Sequence, residues 1–149
     1  MTFDICIQDR QLPVAIELVD SCPRVSFILD HLGNPDIDGP RYEAWRHDVS
    51  RLAERPNIAC KVSGMVSRSG LLPTAERLQA TIEHAIDCFG WDRVMFGSDW
   101  PLCTLSSSLN GWLELVSKAT ERFGEENQRK LFFENALRIY RCQDGEHDQ

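Results

Sequence analysis

The chain has 149 residues, 42% hydrophobic and 26% charged, the make-up of one globular domain. Its net charge of −7, without a basic cluster, excludes a surface built to neutralise nucleic-acid phosphates, and its short apolar runs exclude a membrane-spanning helix. MTFDICIQDR lacks the basic and apolar regions of a secretory leader, and the six scattered cysteines form no C-x-x-C pair, so a cytoplasmic chain with reduced thiols is expected.

In chain order, residues 3–8 (FDICIQ) predict a first buried strand, short and rich in β-formers. A helix follows over about 11–21, with Pro13 tolerated in its opening turn. Residues 25–30 (VSFILD) predict the second strand, and a helix over about 42–54 carries Trp45, Val49, Leu52 and Ala53 as one apolar stripe. Residues 57–62 (NIACKV) form the third predicted strand. The next helix starts near Pro73 and Thr74, repeats Leu78, Ile82, Ala85, Ile86 and Phe89, and stops at Gly90. Residues 93–96 (RVMF) are the fourth strand. Trp112, Leu115, Val116 and Ala119 then mark a helix ending near 123–124, and a last helix covers about 125–140. The polar tail, 141–149, is expected to fray. Trp45 and Trp112 read as core anchors, and His47 and His84, beside charged residues, as solvated.

Four βα repeats and a C-terminal helix predict a single α/β domain over 1–149, a parallel sheet covered by helices. Ligands in such folds sit at the carboxyl ends of the strands. Those ends are polar here: Gln8-Asp9-Arg10, Asp30-His31, Lys61-Val62-Ser63-Gly64 and Gly97-Ser98-Asp99. Alternation along a strand sends Asp4, Cys6 and Gln8 opposite Phe3, Ile5 and Ile7. It groups His31 with Phe27 and Leu29, Lys61 with Ala59 and Ser63, and Asp99 with Met95 and Gly97. One face is then apolar and the other carries Asp4, Lys61, His31 and Asp99. A buried lysine needs a partner, so Asp4 and Lys61 are expected to pair. One strand-end aspartate usually serves a turn or a helix cap, but His31 and Asp99 at the same end, with Lys61 between, point to a site. Trp100 suits substrate lining and plain packing equally.

The stretches FILDHLGNP, NIACKVSGMV, GWDRVMFGSDWPLC and ENALRIY, in this order, resemble the amidohydrolase-related family, especially its sugar-lactone and dicarboxylate-lactone hydrolases, over about residues 2–140. The resemblance implies the C-terminal half of a (β/α)8 TIM barrel, strands five to eight. In that barrel strand six ends in a histidine and strand eight in an aspartate, positions that His31 and Asp99 fill. Members hydrolyse lactones and other C–O or C–N bonds, or decarboxylate acids; some hold one divalent cation, zinc or manganese, and others none. By carry-over, Asp99 takes a proton from the attacking water and returns it to the leaving oxygen. His31 polarises the carbonyl or, with Asp99, holds the cation. Lys61 and Ser63 would shape the pocket floor or contact substrate oxygens, Trp100 stays a candidate substrate contact from its place beside Asp99, and with Asn34 nearby the pocket would suit an oxygen-rich or carboxylated lactone.

The chain also departs from that pattern. A whole barrel needs roughly 250 residues, and the strand-one His-x-His of the family occurs nowhere in this sequence. A catalytic zinc wants about three protein ligands, whereas His31 and Asp99 are two. The expectation is a truncated lactonase, weakly active or inactive alone. The alternative is a non-catalytic half-barrel that self-associates through open strand edges. A third reading, a phospho-acceptor domain built on Asp99, requires acidic neighbours for Mg²⁺, with Asp9 and Asp30 as candidates.

Overall fold

All four predicted strands are present in the computed structural model, which describes residues 2–66 and 74–142, and they begin or end within their apolar runs by a few residues. They are β1 (Thr2–Ile5), β2 (Ser26–Leu29), β3 (Ile58–Val62) and β4 (Val94–Phe96). β1 and β2 end early because their carboxyl-end residues, 6–8 and Asp30, leave the ladder to form loops, whereas β3 and β4 keep their carboxyl ends and start one residue late. All pair in parallel in the order β1-β2-β3-β4, with Ile5 opposite Leu29, Leu29 opposite Cys60 and Val62 opposite Phe96. Sequential order is what consecutive βα units produce.

The connecting helices are α1 (Leu12–Ser21), α2 (Tyr42–Ala53), α3 (Ala75–Phe89) and α4 (Leu109–Thr120). The Thr74 hydroxyl caps α3 by accepting from the Arg77 amide at 3.3 Å, and Ser108 caps α4 by accepting from Gly111 at 2.9 Å. Pro73, the expected start of α3, and residues 143–149 of the expected tail lie outside the described residues. The helix expected to reach 123–124 stops at Thr120, and a tighter turn over Glu121–Phe123 follows. The last helix is continuous but not uniform. A wide π-helical turn (Lys130–Glu134) joins α5 (Glu125–Arg129) to α6 (Asn135–Tyr140). Beyond that turn the buried Asn135 amide donates to the carbonyls of Trp91, at 2.6 Å, and Val94, at 2.7 Å, pinning the helix to the foot of β4.

The helices α1 to α4 pack on one sheet face. There Leu12, Ile16, Phe27, Leu29, Leu52, Val62, Ile82 and Val94 are buried around the fully buried Trp45 and Trp112. The second face carries a small apolar cluster, Ile28, Ala59 and Met95, covered by Ala136 and Ile139 of α6. One expectation changes as a result. Phe27 and Leu29 face the helices, so alternation in β2 puts Ile28 and Asp30, not His31, on the second face. His31 and Leu32 both take a left-handed backbone, φ 55°, and that twist turns the imidazole to the second face against its parity.

His84 also differs from expectation. It is half-buried, its ring edge-on to Trp45 at 5.5 Å and a ring nitrogen 3.0 Å from the Arg46 carbonyl. His47 is exposed as expected. All six cysteines are free thiols, Cys60 and Cys103 buried and Cys6 and Cys142 exposed. Among the described residues no helix is long and apolar enough to cross a membrane.

Candidate active site

The site is built on two strained loops. After β2 the chain runs left-handed through His31, Leu32, Gly33 and Asn34, with φ of 55°, 55°, 73° and 55°. A left-handed backbone costs a non-glycine residue about 1–2 kcal/mol, so such a run persists only where its surroundings fix it. Three bonds do so. The Trp45 indole of α2 donates to the Leu32 carbonyl at 2.7 Å, and the Asn34 amide donates to the Ile7 carbonyl at 2.6 Å. His31 Nδ1 lies 2.8 Å from Ser63 Oγ.

The loop after β4 repeats the device. Asp99 has φ 53°, its carbonyl accepts from the Cys103 amide at 2.9 Å, and the next peptide, Trp100–Pro101, is cis. The Trp112 indole of α4 donates to the Gly97 carbonyl at 2.9 Å. In both units the helix after the strand returns a fully buried tryptophan to the loop that carries the polar side chain.

Two glycines let the loops approach. A Cβ on Gly64, φ 72°, would stand 2.6 Å from His31 Cγ, and one on Gly97 would stand 2.9 Å from Ser63 Cβ. Both are inside contact distance, so the imidazole and Ser63 occupy space that only glycine leaves free.

His31 Nε2 faces Asp99 Oδ1 at 3.8 Å, with 19% and 12% of the two side chains exposed. Beside them Lys61 Nζ lies 2.8 Å from Asp4 Oδ2 and 2.6 Å from Asp30 Oδ1, so the expected pairing with Asp4 is present. The Tyr140 hydroxyl donates to Asp4 Oδ2 at 2.7 Å, and the ammonium sits 5.5 Å from the ring centroid. Burial pulls the Lys61 ammonium down, but the bonds to Asp30, Asp4 and Tyr140 outweigh it and hold the group above the ordinary lysine value. Burial raises the Tyr140 phenol, with Lys61 opposing, so the hydroxyl stays a neutral donor at neutral pH.

A cleft of about 440 Å³ collects Asp30, His31, Lys61, Ser63, Asp99 and Tyr140. Trp100 is 67% exposed and outside the cleft lining, and the Asn34 amide is turned to the first strand's end. Of the acidic pair in the phospho-acceptor reading, Asp9 is held by Arg41 at 3.0 Å and Asp30 by Lys61. Sequence reasoning placed Asp30 only in the phospho-acceptor reading, not in the lactonase site, and did not single out Tyr140. Asp30 was legible from its parity with Ile28; Tyr140 closes the ENALRIY stretch, yet its reach to Asp4 depends on where the π-helical turn aims α6. As donors for a divalent cation, His31 and Asp99 fit in chemistry and spacing but are one short of three.

A sequence profile of the amidohydrolase family matches residues 1–142. The L-fucono-1,5-lactonase of Burkholderia ambifaria is 32% identical over 153 aligned positions, taking in 100% of this chain and 53% of that protein. The L-rhamnono-gamma-lactonase of Scheffersomyces stipitis is 23% identical, over 93% of this chain and 48% of that one. In three dimensions, an amidohydrolase from Burkholderia multivorans crystallised with bound zinc superposes with a TM-score of 0.88 at 29% identity, over 94% of this chain and 52% of that one. The chain thus spans about half the length of the curated relatives it matches, and its four parallel strands and their helices are half of such a barrel. On the profile match and the likeness of sequence, the chain belongs to the amidohydrolase family.

Proposed function

We propose that this chain carries the strand-end histidine and aspartate of a lactone hydrolase acting on sugar lactones. The observation that carries the reading is the approach of His31 Nε2 to Asp99 Oδ1 at 3.8 Å, in a cleft rimmed by strand ends. Names of relatives support the substrate class, since two lactonases act on sugar-derived lactones by their names.

Asp99 is the general base. Its carboxylate accepts a proton from a water whose oxygen attacks the lactone carbonyl carbon; when the ring C–O bond breaks, the same proton goes to the departing alkoxide. Ser63 orients the imidazole through Nδ1, leaving Nε2 to address the reacting centre. A divalent cation held through His31 would supply Lewis-acid polarisation of the carbonyl. The Lys61 ammonium is already balanced by Asp4 and Asp30, which makes it the rigid floor of the pocket. Polar groups around that floor suit a substrate rich in hydroxyls.

The test uses a chimeric barrel in which the preceding half of the Burkholderia ambifaria lactonase is joined ahead of this chain. Acid release from sugar lactones is followed at constant pH. Asp99→Asn is expected to lower the rate about 10²- to 10⁴-fold, the usual worth of a general base. Equal rates in a chimera that hydrolyses lactones would reject the base.

A further inference from the structure

The half-barrel holds a set of metal donors that the family pattern does not supply. Cys6 follows β1 and Asp30 follows β2, and because Ile5 is opposite Leu29 these two stand side by side at the strand ends. A donor atom from each of Cys6, Asp30 and His31 lies within 4.8 Å of the other two. Around a tetrahedral zinc, with bonds of about 2.0–2.3 Å, donors stand roughly 3.3–3.8 Å apart. Rotation of side chains that carry only one or two torsions covers that difference, and Cys6 is exposed enough to move.

We propose that Cys6, Asp30 and His31 bind one borderline divalent cation of the zinc class, with the fourth position open. A thiolate, an imidazole and a carboxylate are all ligands zinc accepts, and three protein ligands with one vacancy is the pattern of a catalytic rather than a structural site. Outer contacts that metal ligands usually carry are already in place. Ser63 sits 2.8 Å from His31 Nδ1 and orients the ring, and Lys61 holds Asp30 through Oδ1 at 2.6 Å, leaving the other carboxylate oxygen for a cation. Asp99 faces His31 Nε2 at 3.8 Å and remains the base rather than a ligand. The inference deepens the lactonase reading, on which it rests for the role of Asp99 but not for the ligand set.

The experiment is a cobalt(II) titration of the 149-residue chain, read by absorbance and by calorimetry. One equivalent should bind and give a thiolate-to-cobalt charge-transfer band in the near ultraviolet. Cys6→Ser should abolish the band and weaken binding at least about tenfold, since outer-sphere partners alone are worth about 10–100-fold. His31→Asn should weaken binding to a similar extent, with circular dichroism showing that each variant stays folded. Cys142→Ser, at the other exposed thiol, and Asp99→Asn should keep the band. Absence of the band in the parent chain, its survival in Cys6→Ser, or its loss in Asp99→Asn or Cys142→Ser would each overturn the ligand set. Cobalt bound through Cys6 by a chimera that opens no lactone would sink the lactonase reading alone; lactone hydrolysis without the band would sink this one alone.

Discussion

At the scale of single residues, the site depends on space as much as on charge. Gly64→Ala puts a methyl 2.6 Å from His31 Cγ and asks a left-handed residue to carry a Cβ. The backbone term is about 1–2 kcal/mol, so the melting temperature should fall by only about 2–8 °C in a chain of this length. The imidazole, by contrast, must leave Ser63, and loss of the hydrogen-bonded Nδ1 signal in ¹⁵N NMR is the expected result; an unchanged signal would show that the loop yields instead. Lys61→Met tests the charge cluster. It leaves Asp4 and Asp30 without their shared cation, an expected loss of about 2 kcal/mol, less than the ~3–5 for a fully buried pair because water reaches all three groups. The sign with pH follows from the raised Lys61 value. The stabilisation is full below the ordinary lysine value of about 10.4 and is lost as pH climbs through the higher folded one. Denaturation midpoints of parent and variant should therefore differ by a constant amount from pH 6 to about 10 and converge only beyond it.

At the scale of elements, each of the two loops depends on a tryptophan from the helix behind it. Trp112→Phe leaves the part-buried Gly97 carbonyl without its donor, and Trp45→Phe does the same to the buried Leu32 carbonyl, at up to about 1–3 kcal/mol, the cost of an orphaned acceptor. A role in packing alone would move both variants alike. Their positions predict a split instead: Trp45→Phe, behind His31, should weaken cobalt binding, and Trp112→Phe, behind Asp99, should spare binding and slow turnover in the chimeric barrel. Both helices were legible in the sequence, because a stripe such as Trp45, Val49 and Leu52 has only one way to be buried. Neither indole bond was legible. The period of a helix fixes which face is buried, but not which carbonyl a buried N–H will meet. The π-helical turn hid for a similar reason: Lys130 to Glu134 carries no glycine or proline to announce it, and it shows only in the aim of Asn135 at the foot of β4.

At the scale of the whole molecule, the order of βα units was legible because every strand is short, apolar and followed by a helix of amphipathic period. The carboxyl-end position of the site came with that order. Alternation then served well in β1 and β3, where Asp4 and Lys61 meet as expected, and misled in β2, where φ of 55° at His31 breaks the two-residue period. Periodicity describes the part of a strand that stays in the ladder, and the candidate site residues His31 and Asp99 sit just beyond it.

The bond from Tyr140 to Asp4 has a bearing on how the protein is made. It joins residues 136 positions apart, and the Thr2 hydroxyl on the Ile139 carbonyl joins a pair 137 apart. A chain growing from its amino end has Asp4, Asp30 and Lys61 assembled long before the phenol that covers them exists. Until the final turn of α6 leaves the ribosome, Tyr140 is not there to bond Asp4, nor Ala136 and Ile139 to pack on Ile28, Ala59 and Met95.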